Sequence, residues 1–212
     1  MSGLLALLDD VAGIAKIAAA SVDDVAGQAA KAGAKAAGAV IDDAAVTPKY
    51  VHGFAAAREL PIVGKIALGS IRNKLLILLP LALLLSAFAP WAITPLLMIG
   101  GAYLCFEGAE KVFHALVPHA AHEDSAETGS AEHLEQAKVA GAVKTDFILS
   151  AEIMTIALAA LPQGQPLWME ALVLAVVGIG ITAAVYGGVA LIVKMDDIGL
   201  WLAQNARFGL TR

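Results

Sequence analysis

The stretch from Leu75 to Phe106, "LLILLPLALLLSAFAPWAITPLLMIGGAYLCF", contains no charged side chain. Where water is absent, backbone N–H and C=O groups must be satisfied within the segment itself, so a run this apolar is restricted to helix. Pro90 and Trp91 interrupt it, and it reads as a hairpin: Leu75 to Ala89, a turn, then Ala92 to about Phe113. An arm of about fifteen residues spans only about 22 Å, against a hydrocarbon core of about 30 Å. Two solutions are open. Either the first arm extends back through "IALGSIRNK" with Arg72 and Lys74 snorkelling, or the helices are short and re-entrant. A second apolar block, Thr145 to Leu161 and Trp168 to Val193, turns on "PQGQP", and Glu170 is the one charged residue from Leu167 to Val193.

With 59% hydrophobic and 16% charged residues and a mean hydropathy of +0.76, the chain reads as an all-α, polytopic membrane helix bundle. Residues 1–60 form an amphipathic Ala/Gly-rich helical region, 61–116 the first membrane hairpin, 117–143 a loop, 144–194 the second hairpin and 195–212 a final helix that reads as truncated. In the first region one helix is expected from about Gly3 to Ala20. A second is expected from Ser21, which with Asp24 resembles a capping box. Gly27, Gly33, Ala36 and Gly38 are the small residues that would let backbones approach, and Thr47 with Pro48 fits an N-cap and first-turn proline. This region is too polar to span, so it is expected along the interface or inside the bundle. The amino terminus lacks the basic region of a secretory leader. Arg58, Lys65, Arg72 and Lys74 precede the first block, Lys111, Lys138 and Lys144 separate the blocks, and neither hairpin turn holds Lys or Arg. The positive-inside rule therefore puts residues 114–144 in the cytoplasm and both turns outside.

Several function classes are disfavoured. A net charge of −5 argues against nucleic acid as a partner, and a single cysteine, Cys105, excludes an intramolecular disulfide. No nucleophile elbow, phosphate loop or zinc-protease motif occurs, so no enzyme activity and no cofactor are expected. The expected partners are the lipid bilayer and a cation or proton, with oligomerisation open.

The carboxylates inside or beside apolar runs carry the functional reading. Glu152, in "FILSAEIMTIALAAL", is well inside an apolar helix, where an ionisable group is by default functional. Asp10 and Asp9 are added because "LLDDVAGIAKIAA" parallels "LSAEIMTIALAA" and superposes Asp10 on Glu152, the pattern of a transporter built from repeats. Glu107 in "CFEGAEKVF" is a further candidate. Asp146 follows Thr145 and reads first as a first-turn aspartate complementing a helix dipole; Asp196 and Asp197 read first as opening a new helix after Lys194. All three remain transport or ion-binding candidates. His114, His119, His122 and His133 lie among acidic residues, but their spacing is that of a solvated loop rather than of a metal site.

The segments "RELPIVGKIALGSIRNKLLILLPLALLLSAFAPWAITPLLMIGGAYLCFEGAEKV", "GAVKTDFILSAEIM" and "VYGGVALIVKMDDIGLWLA" resemble the YedI-like inner-membrane proteins, an uncharacterised family. The likeness extends over essentially the whole chain and implies a bacterial inner-membrane protein, with further hydrophobic helices after "DDIGLWLA". A fainter similarity of "LSAEIMTIAL" and "LLMIGGAYLCFEGAEKV" to lysine-exporter and tellurium-resistance transporters points toward transport of a cation or a proton-coupled solute. The alternative is a non-transporting structural or accessory membrane protein.

Overall fold

The computed structural model describes residues 2–47, 56–116 and 131–205. It is an all-α bundle: α1 (Ser2–Lys35), α2 (Ala37–Val46), α3 (Ala56–Asn73), a π-helical turn (Lys74–Leu78), α4 (Leu79–Phe88), a 3-10 turn (Pro90–Ala92), α5 (Ile93–Leu116), α6 (Ala131–Ala159) and α7 (Leu167–Asn205). Among the described residues three segments are long and apolar enough to cross a membrane: Arg58–Phe88, Pro90–Glu110 and Leu167–Met195.

The first of these decides between the two solutions left open above. At 31 residues the arm is about 46 Å long, so it extends back through "IALGSIRNK" and is not a short re-entrant helix. The π turn has a local cause. Pro80 lacks the N–H that would bond the carbonyl of Leu76, and its ring crowds that carbonyl, so the helix widens in the turn before it. Arg72 is exposed, as snorkelling requires, but Lys74 is completely buried. Its expected snorkelling is therefore overturned.

The amino-terminal region also differs from expectation. α1 is continuous through Ser21, whose hydroxyl bonds back to the Ile17 carbonyl at 3.0 Å. That i−4 bond satisfies the hydroxyl inside a helix, where a cap would have faced a free N–H. Nor do the glycines make the close approach, since a methyl group on Gly27, Gly33 or Gly38 would meet nothing within 4 Å. The packed stripe is Val25, Ala29, Ala32, Ala36 and Ala39, continued by Asp43 and Thr47, all buried. As far as Asp43 these recur at alternating steps of four and three, the heptad seam of a helix lying against neighbours, and Thr47 follows after one more step of four. Thr47 caps the end of α2 rather than starting a helix, its hydroxyl donating to the Asp43 carbonyl at 2.8 Å; Pro48 lies outside the described residues. Upstream of Val25, α1 is largely exposed; Leu4, Leu7, Leu8, Val11 and Ile14 cluster on one side and Asp9, Lys16 and Asp23 lie opposite, but Asp10 falls beside Ile14 and Ile17 beside Asp24, so the expected amphipathic division is incomplete.

α6 begins at Ala131, inside the stretch read as loop, and α7 runs unbroken to Asn205. Asp146 is consequently in mid-helix and not in a first turn, and Asp196 and Asp197 continue α7 instead of opening a new helix. Polar residues at both places lengthen the helices beyond the apolar core, which hydropathy alone does not register. The α6–α7 turn depends on Gly164, at φ +80°, a conformation that costs glycine little. Ser86 of α4 donates to Glu170 of α7 at 2.7 Å, tying both hairpin tips together at one end of the bundle. Trp91 and Trp168 are exposed there, where interfacial aromatics belong.

Candidate functional site

The largest buried polar group among the described residues centres on Asp146. Its Oδ1 accepts from Tyr186 OH of α7 at 2.8 Å, from Ser70 Oγ of α3 at 3.0 Å and from Lys74 Nζ of the π turn at 3.3 Å; Oδ2 accepts from Ser150 Oγ one turn along α6 at 3.1 Å. Lys74 Nζ also donates to Ser70 Oγ. Lys74 is 0% and Asp146 3% exposed. The i, i+4 spacings Ser70–Lys74 and Asp146–Ser150 stack each pair on one helix face. α7 packs over them at Gly178, where an added methyl group would lie 3.7 Å from both Lys74 Cβ and Met154 Sδ, in ordinary van der Waals contact.

A buried ion pair of this kind gives little net stability over an apolar substitute, because desolvation of both charges offsets their attraction. Its cost is tolerable only because the surrounding hydroxyls satisfy the carboxylate. Asp43 of α2 approaches the same place. It shares with Thr47, Thr145, Asp146, Leu149 and Tyr186 a cavity of about 10 Å³, room for about one water molecule. A second ionic group fastens α3 to α6 near their amino-terminal ends: Glu135 is buried and accepts from Lys65 at 2.7 Å and from Arg58. The Lys65 hydrogen bond, followed by that from Arg58, holds the Glu135 carboxyl below the usual carboxylate range.

The remaining candidates are placed elsewhere. Glu152 is half-buried on α6. It lies about 120° around the helix from Asp146 and outside the hydrogen-bonded group. Thr155, one turn further on, bonds back to the Ala151 carbonyl at 2.6 Å and does not form the side-chain cluster with Glu152 that the spacing allows. Asp9 and Asp10 are exposed on the outer part of α1, so the repeat-like alignment does not put Asp10 and Glu152 in equivalent surroundings. Glu107 lies in α5 and Asp196 and Asp197 in α7, but their side chains, like most of the His-rich segment, lie outside the described residues. No metal-ligating group of three His, Cys, Asp or Glu occurs among the described residues.

Sequence reasoning missed Lys74, Ser70, Ser150, Tyr186 and Asp43. For Asp43 a signal was present: "IDDAA" is a further aspartate pair, and Asp43 falls on the continuation of the alanine stripe. For Lys74 there was Pro80, which marks the site of the π turn. Nothing in the linear pattern indicated that a lysine at the start of the first apolar block would meet an aspartate of the second hairpin.

No curated protein and no solved structure matches the chain. Residues 2–212 match a family described as "Protein of unknown function (DUF808)", and with essentially its whole length covered the chain belongs to that family.

Proposed function

We propose that this protein is a multi-pass protein of the bacterial inner membrane, non-enzymatic, that moves a proton or small cation, alone or coupled to a solute. The observation that carries this reading is the Lys74–Asp146 pair, fully buried between helices of which two are candidate spans. Ionisable groups at such depth are expensive and characteristic of ion and proton pathways. The resemblance to YedI-like proteins supports the inner membrane. Glu152, half-buried on the same helix, is the second carboxylate of the proposed pathway.

The test is proton and alkali-cation flux in proteoliposomes. Wild-type protein is expected to carry a flux that Asp146→Asn abolishes and Glu152→Gln reduces, with folding of each variant checked by its melting curve. A wild type no more permeable than empty liposomes would remove the transport reading. The second reading, a structural or accessory membrane protein, would then take its place; the small size of the cavity beside Asp146, with room for about one water, favours it.

Orientation is a separate expectation. In a Cys105→Ser background, a cysteine at Gln163 in the α6–α7 turn should react with an impermeant reagent applied from the periplasmic side. One at Gln136, at the other end of α6, should not. The reverse pattern would invert the proposed topology.

A further inference from the structure

Asp43 is 2% exposed, and its Oδ2 is buried with no hydrogen-bond partner among the described residues. Asp146 is saturated by contrast, with four donors on its two oxygens. Both carboxyls line the same one-water cavity. The charge count of the place follows: Lys74 offsets one carboxylate, and ionisation of both would leave one unpaired negative charge in an enclosed site. Buried charges without partners are strongly disfavoured, whereas a protonated Asp43 is neutral and gains an O–H that can donate.

We propose that Asp43 is the proton-binding carboxyl of this site, taking up a single proton on Oδ2 that neutralises the Asp43–Asp146–Lys74 group while α2 is docked. This rests on the reading of the buried group as an ion pathway and narrows its cargo to the proton. Uptake forms one O–H bond on the carboxylate and release breaks it. No other bond changes.

The site also ties the proton to α2. α2 is ten residues long, about 15 Å, too short to cross the hydrocarbon core, and it meets the core through Ala39 and the partly buried Val40 and Ala44. Loss of the proton puts an unpaired negative charge on α2, where it faces α6 and α7. The groups facing Asp43 are Asp146 from α6, Lys74 from the π turn and Tyr186 from α7. Asp42 adjoins it on α2 and also acts on Glu152. Burial first, then the Asp146 carboxylate, push the Asp43 carboxyl up to about 6, with Lys74 acting in the opposite direction. A carboxyl raised in the folded state contributes stability that is fully present below its ordinary value of 3.8 and is lost as pH rises through about 6.

Infrared difference spectra of the purified full chain in nanodiscs, with isotope-labelled aspartate, provide the test. The wild type should show a protonated aspartate carbonyl band that disappears with a midpoint near pH 6. Asp42→Asn should keep the band, Asp43→Asn should lose it, and Asp43→Glu should replace it with a glutamate band. In parallel, the melting temperature of the wild type should fall between pH 4 and pH 7, most of it below about pH 6, while that of Asp43→Asn stays level and exceeds the wild type at the higher pH. Absence of a titrating band in the wild type overturns the proposal, as does its persistence in Asp43→Asn or its loss in Asp42→Asn. If Asp43→Asn does not fold, a failure of Asp43→Glu to replace the aspartate band overturns it equally. Proteoliposomes without flux but with the titrating band would end the transport reading and leave the proton site standing; flux without the band would do the opposite.

Discussion

Lys74→Met is expected to lower the stability of this protein by about 3–5 kcal/mol, the range found when one partner of a buried ion pair is removed. Methionine nearly preserves the length of the side chain, so the loss is not chiefly one of packing. It arises because Asp146 stays behind, 3% exposed, as a carboxylate without its cation, still accepting from Ser70, Ser150 and Tyr186. The measurement is denaturant or thermal unfolding in detergent. Replacing both partners, Lys74→Met with Asp146→Leu, should recover most of the loss, because the apolar pair requires no desolvation of charge. A double-mutant cycle then gives a coupling energy above about 1 kcal/mol. If the single and double variants are equally unstable, the pair is not coupled in the way the geometry requires.

Gly69→Leu is the second large effect. Even a methyl group at Gly69 would lie 2.8 Å from Val143 Cγ2, so α3 and α6 touch there without room for any side chain. Overpacking at a contact of this kind costs about 3 kcal/mol, and the helices must separate to admit leucine. Separation would also pull Ser70, the next residue of α3, and Lys74 of the π turn away from Asp146. Melting temperature and the infrared band of Asp43 should therefore change together in Gly69→Leu. Val143→Ala, which empties the opposing position, should partly restore both. A Gly69→Leu protein of unchanged stability would show that α3 and α6 do not pack as closely as described.

The structure explains why some of the candidate site was legible and the rest was not. Glu152 and Asp146 stand out in the linear sequence because they interrupt apolar helices, and that is enough to mark them. Of the two, Asp146 is the one in the buried hydrogen-bonded group. Asp146 was read mainly as a dipole-complementing aspartate because Thr145 looked like a cap, whereas α6 starts at Ala131 and needs no cap at Thr145. Lys74 was read as a snorkelling residue because lysines at the ends of apolar arms usually reach the headgroups. Its bonds to Ser70 and Asp146 and the packing of α6 and α7 around it keep it inside.

Helical class and the candidate membrane segments follow from the sequence alone, because local periodicity and the need to satisfy the backbone within lipid leave one solution for runs such as Leu75–Phe106. The alanine seam of α1 and α2 is likewise written in steps of three and four. Which polar groups meet is not written there. Ser70, Lys74, Asp146 and Tyr186 come from three separate segments of the chain, up to 116 positions apart, and each is unremarkable beside its own neighbours. Their pairing is decided by helix rotation and crossing, which depend on side chains filling the spaces between elements; only the packed bundle holds that information.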